Sequence, residues 1–215
     1  VSGGRSYQDG CPVASALDLL GERWALLVIR ELMFEPRRFS DLRADLPGIA
    51  TNILSRRLTE LTEAALVQKL PPDHGAGGGA YALTEQARDL APVFKVLGRW
   101  GLRAPNAAGL APMSPAAAAL ALTPLFRPQK ARGQSLCIVL SMSGRAFTAR
   151  VAERKLEVEA GAASGAQARI EGPPAAVLMR LSGDGTAAAD GVTTDGDPRA
   201  IERFAACFRQ IAGAE

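Results

Sequence analysis

Residues 36–70, PRRFSDLRADLPGIATNILSRRLTELTEAALVQKL, restrict the fold more than any other stretch of the chain. Positions 39–46 have the length of a short helix with Ser40 as a candidate cap, and Pro47-Gly48 then turns the chain. From about 50 to 65 an amphipathic helix follows, its apolar seam at Leu54, Leu58 and Leu61 stepping by four and three. Residues 66–70 and 80–83 read as short strands around the tip PPDHGAGGG. Short helix, tight turn, longer helix and hairpin, in that order, predict a helix-turn-helix with a β-wing. That layout sets one helix into the major groove of DNA.

With the leucine seam turned inward, the outward positions of the longer helix are Thr51, Asn52, Ser55, Arg56 and Thr59. Asn52 can pair in bidentate fashion with adenine and Arg56 with guanine, so these two are the candidate base readers. Arg37, Arg38, Arg43 and Arg57, with the Ser40 hydroxyl, are candidates for phosphate oxygens. The formal net charge of the chain is +3, and residues 1–105 hold 13 Lys/Arg against 12 Asp/Glu. Between Arg37 and Arg57, however, five arginines face only Asp41 and Asp45. A local basic patch in a near-neutral half suits a small footprint on duplex DNA rather than long non-specific wrapping.

The remaining composition sets limits. A chain of 215 residues has room for two small domains with cores of their own, and 47% apolar with 22% charged residues excludes disordered and fibrous classes. The clean apolar runs, such as residues 25–29, are far short of a membrane span. The opening VSGGRSYQDGCP has no basic region followed by an apolar one, so a cytoplasmic protein is expected. Cys11, Cys137 and Cys207 are odd in number, widely spaced and form no CxxC pair, which predicts free thiols and neither a disulfide framework nor a zinc site.

Around the central motif, Pro12–Leu20 reads as a first helix stopped by Gly21, and residues 24–34 as a nearly all-apolar helix buried on most sides. Thr84 caps a helix expected to run unbroken to about 102, apolar at Ala87, Leu90, Phe94 and Leu97. Together with the first helix, this face is the expected seam of a homodimer. Residues 103–114, RAPNAAGLAPMS, lack periodicity and mark the boundary. Ser114-Pro115 then opens an alanine-rich helix to about 126.

Past Gly133 the period becomes two: Leu136, Ile138 and Leu140; Phe147, Ala149 and Val151; Leu156 and Val158; Ala168 and Ile170. Four such runs predict an antiparallel sheet with one covered and one wet face. Helices over about 173–181 and 198–211 cover it, the second capped by Asp197. The expected fold is therefore α+β throughout: a winged helix-turn-helix domain over 1–104, a linker over 105–114, and a helix-covered sheet over 115–215.

Two resemblances rest on these residues. The runs CPVASALDLLGERWALLVIREL and RRFSDLRADLPGIATNILSRRLTELTEAALV carry a Cys-Pro start, a Gly-x-x-Trp step and a Phe-Ser-x-Leu helix. A Pro-Gly-Ile turn and a Leu-Ser-x-Arg-Leu helix follow, and over about 11–102 the chain resembles the HxlR family of bacterial winged helix-turn-helix regulators. That resemblance implies a homodimer on an operator in double-stranded DNA. It also implies a wing that brings His74 to the DNA backbone or minor groove. Residues 115–211 are similar to sterol-carrier-protein-type lipid-binding domains, in a strand–Gly–strand meander, the LMRLSG helix end and a V-x-x-x-G-D pattern from Val192 that closes at Phe204. This second resemblance implies an apolar small-molecule effector, with Phe147, Leu178, Leu181, Phe204 and Phe208 as candidate pocket residues that serve equally well as core.

Cys11 stands at the start of the first helix, where unpaired N–H groups and the helix dipole favour a thiolate. Some HxlR relatives sense oxidants or electrophiles at this position; the plainer reading is a small residue that begins a helix. Residues 75–80, GAGGGA, match a dinucleotide fingerprint in letters only, because a strand follows them where a helix is required. One histidine with Asp73 as its only neighbouring ligand type gives no metal site, and no catalytic grouping or cofactor site can be assembled. A regulator is therefore expected rather than an enzyme. Two alternatives stay open: a thiol-responsive regulator whose second domain is purely structural, or a lipid carrier whose winged domain serves protein contacts.

Overall fold

A computed structural model describes residues 6–71, 79–104, 112–183 and 191–208; His74, most of the expected linker and the residues after 208 lie outside these. The chain divides into two compact units, Val1–Pro92 and Val93–Glu215. No described helix is long and apolar enough to cross a membrane.

The first unit opens with α1 (Pro12–Leu20) and α2 (Ala25–Leu32). Gly21 ends α1 by donating its N–H to the Leu17 carbonyl at 2.7 Å, and a Cβ there would stand 2.5 Å from that oxygen. Trp24 then takes a left-handed backbone (φ 79°) that redirects the chain into α2, with the Arg23 guanidinium stacked 5.5 Å from its ring. Next come α3 (Phe39–Asp45) and α4 (Thr51–Glu63). Leu46 to Ile49 form the turn between them: Ile49 donates to the Leu46 carbonyl at 3.2 Å, and Gly48 at φ 89° occupies the position that demands a positive φ. β1 (Val67–Lys69) and β2 (Tyr81–Leu83) pair antiparallel with Val67 opposite Leu83, and Arg37 bridges Tyr81 on the other side of β2. Val28, Ile29 and Leu32 from α2, Leu42 and Leu46, and the seam Leu54, Leu58 and Leu61 from α4 fill the core. Each buried leucine is worth about 1.5–3 kcal/mol relative to exposure.

Two local expectations are corrected. The N-cap position of α3 is Arg38, not Ser40; the Asp41 carboxylate accepts the Arg38 N–H at 3.3 Å from the third helical position. The helix after the wing is not continuous. Thr84 does cap, accepting the Ala87 N–H at 3.3 Å, but α5 (Glu85–Arg88) stops after one turn and α6 (Ala91–Gly101) starts afresh. Pro92 explains the break: it has no N–H for the Arg88 carbonyl, and its ring would collide there in an unbroken helix.

In the second unit, Ser114 caps α7 (Pro115–Leu125) by accepting the Ala117 N–H at 3.0 Å. β3 (Leu136–Met142), β4 (Arg145–Ala152), β5 (Lys155–Ala160), β6 (Ala168–Gly172) and β7 (Thr193–Gly196) form one sheet in the order β5-β4-β3-β6-β7. This is not the antiparallel four-strand sheet expected. β6 lies parallel to β3, with Ile138 opposite Ala168, and β7 adds an antiparallel edge strand. The covered face is built in rows: Leu136, Val151 and Leu156; Ile138, Ala149, Val158 and Ala168; Leu140, Phe147, Ala160 and Ile170. α8 (Pro174–Ser182) and α9 (Pro198–Ala206) pack on β3 and β6, and α7 packs on β5 and α8. The outer face is not fully wet, because Val139 and Thr148 are paired in register and both buried. The crossover from β5 to β6 covers them. The Thr148 hydroxyl donates to the Gly161 carbonyl at 2.8 Å and accepts the Ala163 N–H at 2.9 Å.

Candidate nucleic-acid interface

Because Leu54, Leu58 and Leu61 lock α4 into the core, its opposite side faces outward, and Thr51, Asn52, Ser55, Arg56 and Thr59 are all exposed there. α4 begins without a side-chain cap, Ala50 holding the N-cap position, so its first-turn N–H groups and dipole remain available to an anion. Asn52 engages one of them: its Oδ1 accepts the Ile53 N–H at 3.0 Å, which leaves its amide N–H2 and a second lone pair for a base edge. Arg38 and Ser40 at the start of α3 and Arg43 in its last turn are also exposed, with the Ser40 hydroxyl donating to Asp41 Oδ1 at 3.3 Å.

The arginines expected to act alike are placed differently. Arg37 is largely covered: its guanidinium meets Asp45 at 2.7 Å and Glu35 at 3.5 Å, while its backbone pairs with Tyr81 at 2.8 and 2.9 Å. It fastens α3 to the wing. Arg57 points inward, its side chain 7% exposed, and pairs with Glu60 at 2.5 Å and Glu22 at 3.2 Å. An expected phosphate contact is therefore a covered arginine held by two carboxylates that reach solvent. The reason lies in the helical period, since Leu54, Arg57, Leu58 and Leu61 follow i, i+3, i+4 and i+7. Arg56 is outward, 65% exposed, and its Nε donates to Glu60 Oε1 at 2.8 Å. The hydrogen bond and charge of Glu60 raise the Arg56 pKa further above its ordinary value. Glu60 thus grips both arginines, one with each carboxylate oxygen. Neither Glu60 nor Glu22 was among the residues singled out by sequence, although spacings of four and three from Arg56 and Arg57 signal Glu60.

Away from α4, Cys11 is exposed at the N-cap of α1. Its side chain makes no capping hydrogen bond, but the first-turn backbone N–H groups of Ala14 and then Val13 favour the thiolate and lower its pKa. Cys137 is half-buried beside Arg150, whose Nη1 lies 3.1 Å from its sulfur, and Cys207 is buried, which pushes its thiol up. Phe147, Leu178, Leu181, Phe204 and Phe208 are all buried in the second unit. Phe208 packs on Phe204 edge to face at 4.9 Å and on Phe126 at 5.9 Å.

Residues 19–107 match the family described as HxlR-like helix-turn-helix. An HTH-type transcriptional regulator of Mycobacterium tuberculosis is 43% identical over 93 residues, 43% of this chain and 58% of that protein, so the chain spans little more than half of this relative's length. The HTH-type transcriptional regulator YodB of Bacillus subtilis is 35% identical over 91 residues, 42% of this chain and 81% of YodB. The solved structure of quinone-bound YodB covers 44% of this chain and all of its own, with 34% identity and a TM-score of 0.39. With that identity to YodB over four-fifths of its length, and the family match across the same helices and wing, the chain belongs to the HxlR-like helix-turn-helix family.

Proposed function

We propose that the chain is a transcriptional regulator of the HxlR type that binds operator DNA as a homodimer. In this reading α4 enters the major groove, with Arg38, Ser40 and Arg43 on phosphates, and the second unit takes an apolar small-molecule effector. The observation that carries the DNA reading is the outward polar row Thr51, Asn52, Ser55 and Arg56 on a helix whose other side is fixed in a core. The regulator names of the relatives agree with it. A gel shift on duplex DNA across a salt series tests it. Affinity should fall with a log–log slope of about −0.9 per phosphate neutralised, and the absence of duplex binding at low salt rejects the proposal.

The effector reading of the second unit is sterol-carrier-like and rests on its helix-covered mixed sheet with a phenylalanine-rich interior. Two residues of the pattern from Val192 to Phe204 already have structural roles: Gly196 holds φ 91° against Gln167, and Asp197 caps α9 by accepting the Arg199 N–H at 2.8 Å. Binding itself therefore decides between ligand pocket and filled core. Thermal-shift measurements with fatty acids, sterols and aromatic metabolites test for it, and no stabilisation by any of them leaves the unit structural.

A second reading is favoured by the exposed thiol of Cys11 at the N-cap position of α1, whose pKa is lowered. Here the regulator responds to oxidants or electrophiles. Diamide should then alter DNA binding of the parent and not of Cys11→Ser; an identical response in both removes it.

A further inference from the structure

Four charged side chains are linked in a row that runs from the covered side of α4 to its outward side: Glu22 to Arg57, Arg57 to Glu60, and Glu60 to Arg56. Two carboxylates meet two guanidinium groups, so the arginines of α4 bring no net charge to a phosphate backbone. Arg56 is held by its Nε. A guanidinium gripped on that edge retains Nη1 and Nη2 as its second pair of donors, the end that approaches guanine O6 and N7 head-on. A free arginine at the same place can swing to any nearby phosphate, which stabilises every duplex equally. Glu60 is itself restrained, because its other oxygen is tied to the buried Arg57.

We propose that Glu60 is a specificity-determining positioning residue: it fixes Arg56 for end-on reading of a guanine and withholds it from phosphates. This rests on the reading of α4 as the recognition helix. Glu60 lowers affinity for duplex DNA in general and raises the preference for one base. The Arg56–Glu60 pair is largely exposed on the arginine side, whereas Arg57 is covered and Glu60 is one of its two partners, so thermal unfolding of each Glu60 variant is read beside its DNA binding.

The test is selection of sites from a random duplex library by the parent chain, followed by titration of the selected duplex and of a guanine-replaced duplex. Parent, Glu60→Ala, Glu60→Gln, Arg56→Ala and the Arg56→Ala/Glu60→Ala double variant are compared. The parent should prefer the selected duplex over the replaced one by about 5- to 150-fold, the range of one bidentate pair. Glu60→Ala should lose most of that ratio while binding the replaced duplex more tightly. Glu60→Gln keeps an oxygen for Arg56 Nε and should retain more of the ratio. In the Arg56→Ala background, Glu60→Ala should leave the ratio unchanged. A purely structural Glu60 would weaken both duplexes alike with the ratio intact, and that result overturns the inference. A loss of ratio that persists without Arg56 overturns it equally. If the parent selects no sequence at all, the recognition-helix reading fails first and this inference fails with it.

Discussion

Gly48 and Gly196 hold nearly the same positive φ, 89° and 91°, yet a methyl group meets different surroundings at the two. At Gly48 the nearest atom to an added Cβ is a Trp24 ring carbon at 4.0 Å, so only the backbone objects. At Gly196 the Gln167 carbonyl would lie at 2.5 Å and Ala168 Cα at 2.8 Å. Gly48→Ala is expected to cost about 1–2 kcal/mol, the penalty of a left-handed L-residue. Gly196→Ala should cost more, since the β6–β7 pairing must also shift. Thermal unfolding midpoints check the order, and equal shifts would refute the steric account. The thiols separate in the same residue-by-residue way. As pH rises, Cys11 should reach its thiolate before an ordinary cysteine, because backbone N–H groups favour the anion; buried Cys207 should reach it later. Iodoacetamide labelling read by peptide mass spectrometry between about pH 6 and 9 should modify Cys11 well ahead of Cys207, and its fall on acidification should be shallower than that of a free thiol. Labelling of Cys207 first, or of the two together, would contradict this.

Among the elements, the crossover into β6 depends on one hydroxyl. Thr148 satisfies two backbone groups of the segment that passes over the outer face of the sheet. Replacing it by Val keeps the shape and leaves the Gly161 carbonyl and the Ala163 N–H without that partner, at an expected cost of about 1–3 kcal/mol. Amide exchange at Ala163 should accelerate in Thr148→Val, and an unchanged rate and stability would show that water takes over both bonds. This crossover also marks how far sequence reasoning reaches. Alternation of Leu136, Ile138 and Leu140 with polar neighbours identifies a half-buried strand, but the same alternation serves parallel and antiparallel partners. Nothing in the periodicity says that β6 returns beside β3, so the parallel pair was not legible, and neither was the short edge strand Thr193–Gly196, every residue of which is exposed. The winged unit was read more fully, because each of its parts has a local cause: the Pro-Gly turn, the leucine seam, the Thr84 cap. Two of its departures from expectation also have local causes. Pro92 announces the break between α5 and α6, and the i, i+3, i+4, i+7 row places Arg57 inside despite its charge.

For the whole molecule, the constraint is apolar surface left open on α1 and on α6. No residue of α1 is buried, and Val13, Ala16, Leu17 and Leu20 lie along one side of it. No residue of α6 is buried either: Val93, Val96, Leu97 and Trp100 follow i, i+3, i+4 and i+7, with Val96 and Trp100 about two-thirds exposed. The other side of α6 is engaged, since a Cβ on Gly98 would stand 2.9 Å from the Pro124 ring. The open stripe is therefore a second face of the helix. Isolated helices of this length are marginal in water, and an apolar stripe of this size suits a second copy of the chain. Under the proposed function, two copies would also double a footprint on DNA that one α4 keeps small. Val96→Glu with Trp100→Glu is expected to leave the fold intact, because both side chains are exposed, and to weaken self-association. A tryptophan anchor alone is worth about 30-fold or more in the dissociation constant. Sedimentation equilibrium should show the parent as a dimer and the double variant shifted to monomer, with operator affinity falling in parallel. A parent that sediments as a monomer, or a variant that dimerises as the parent does, would remove α6 from the interface.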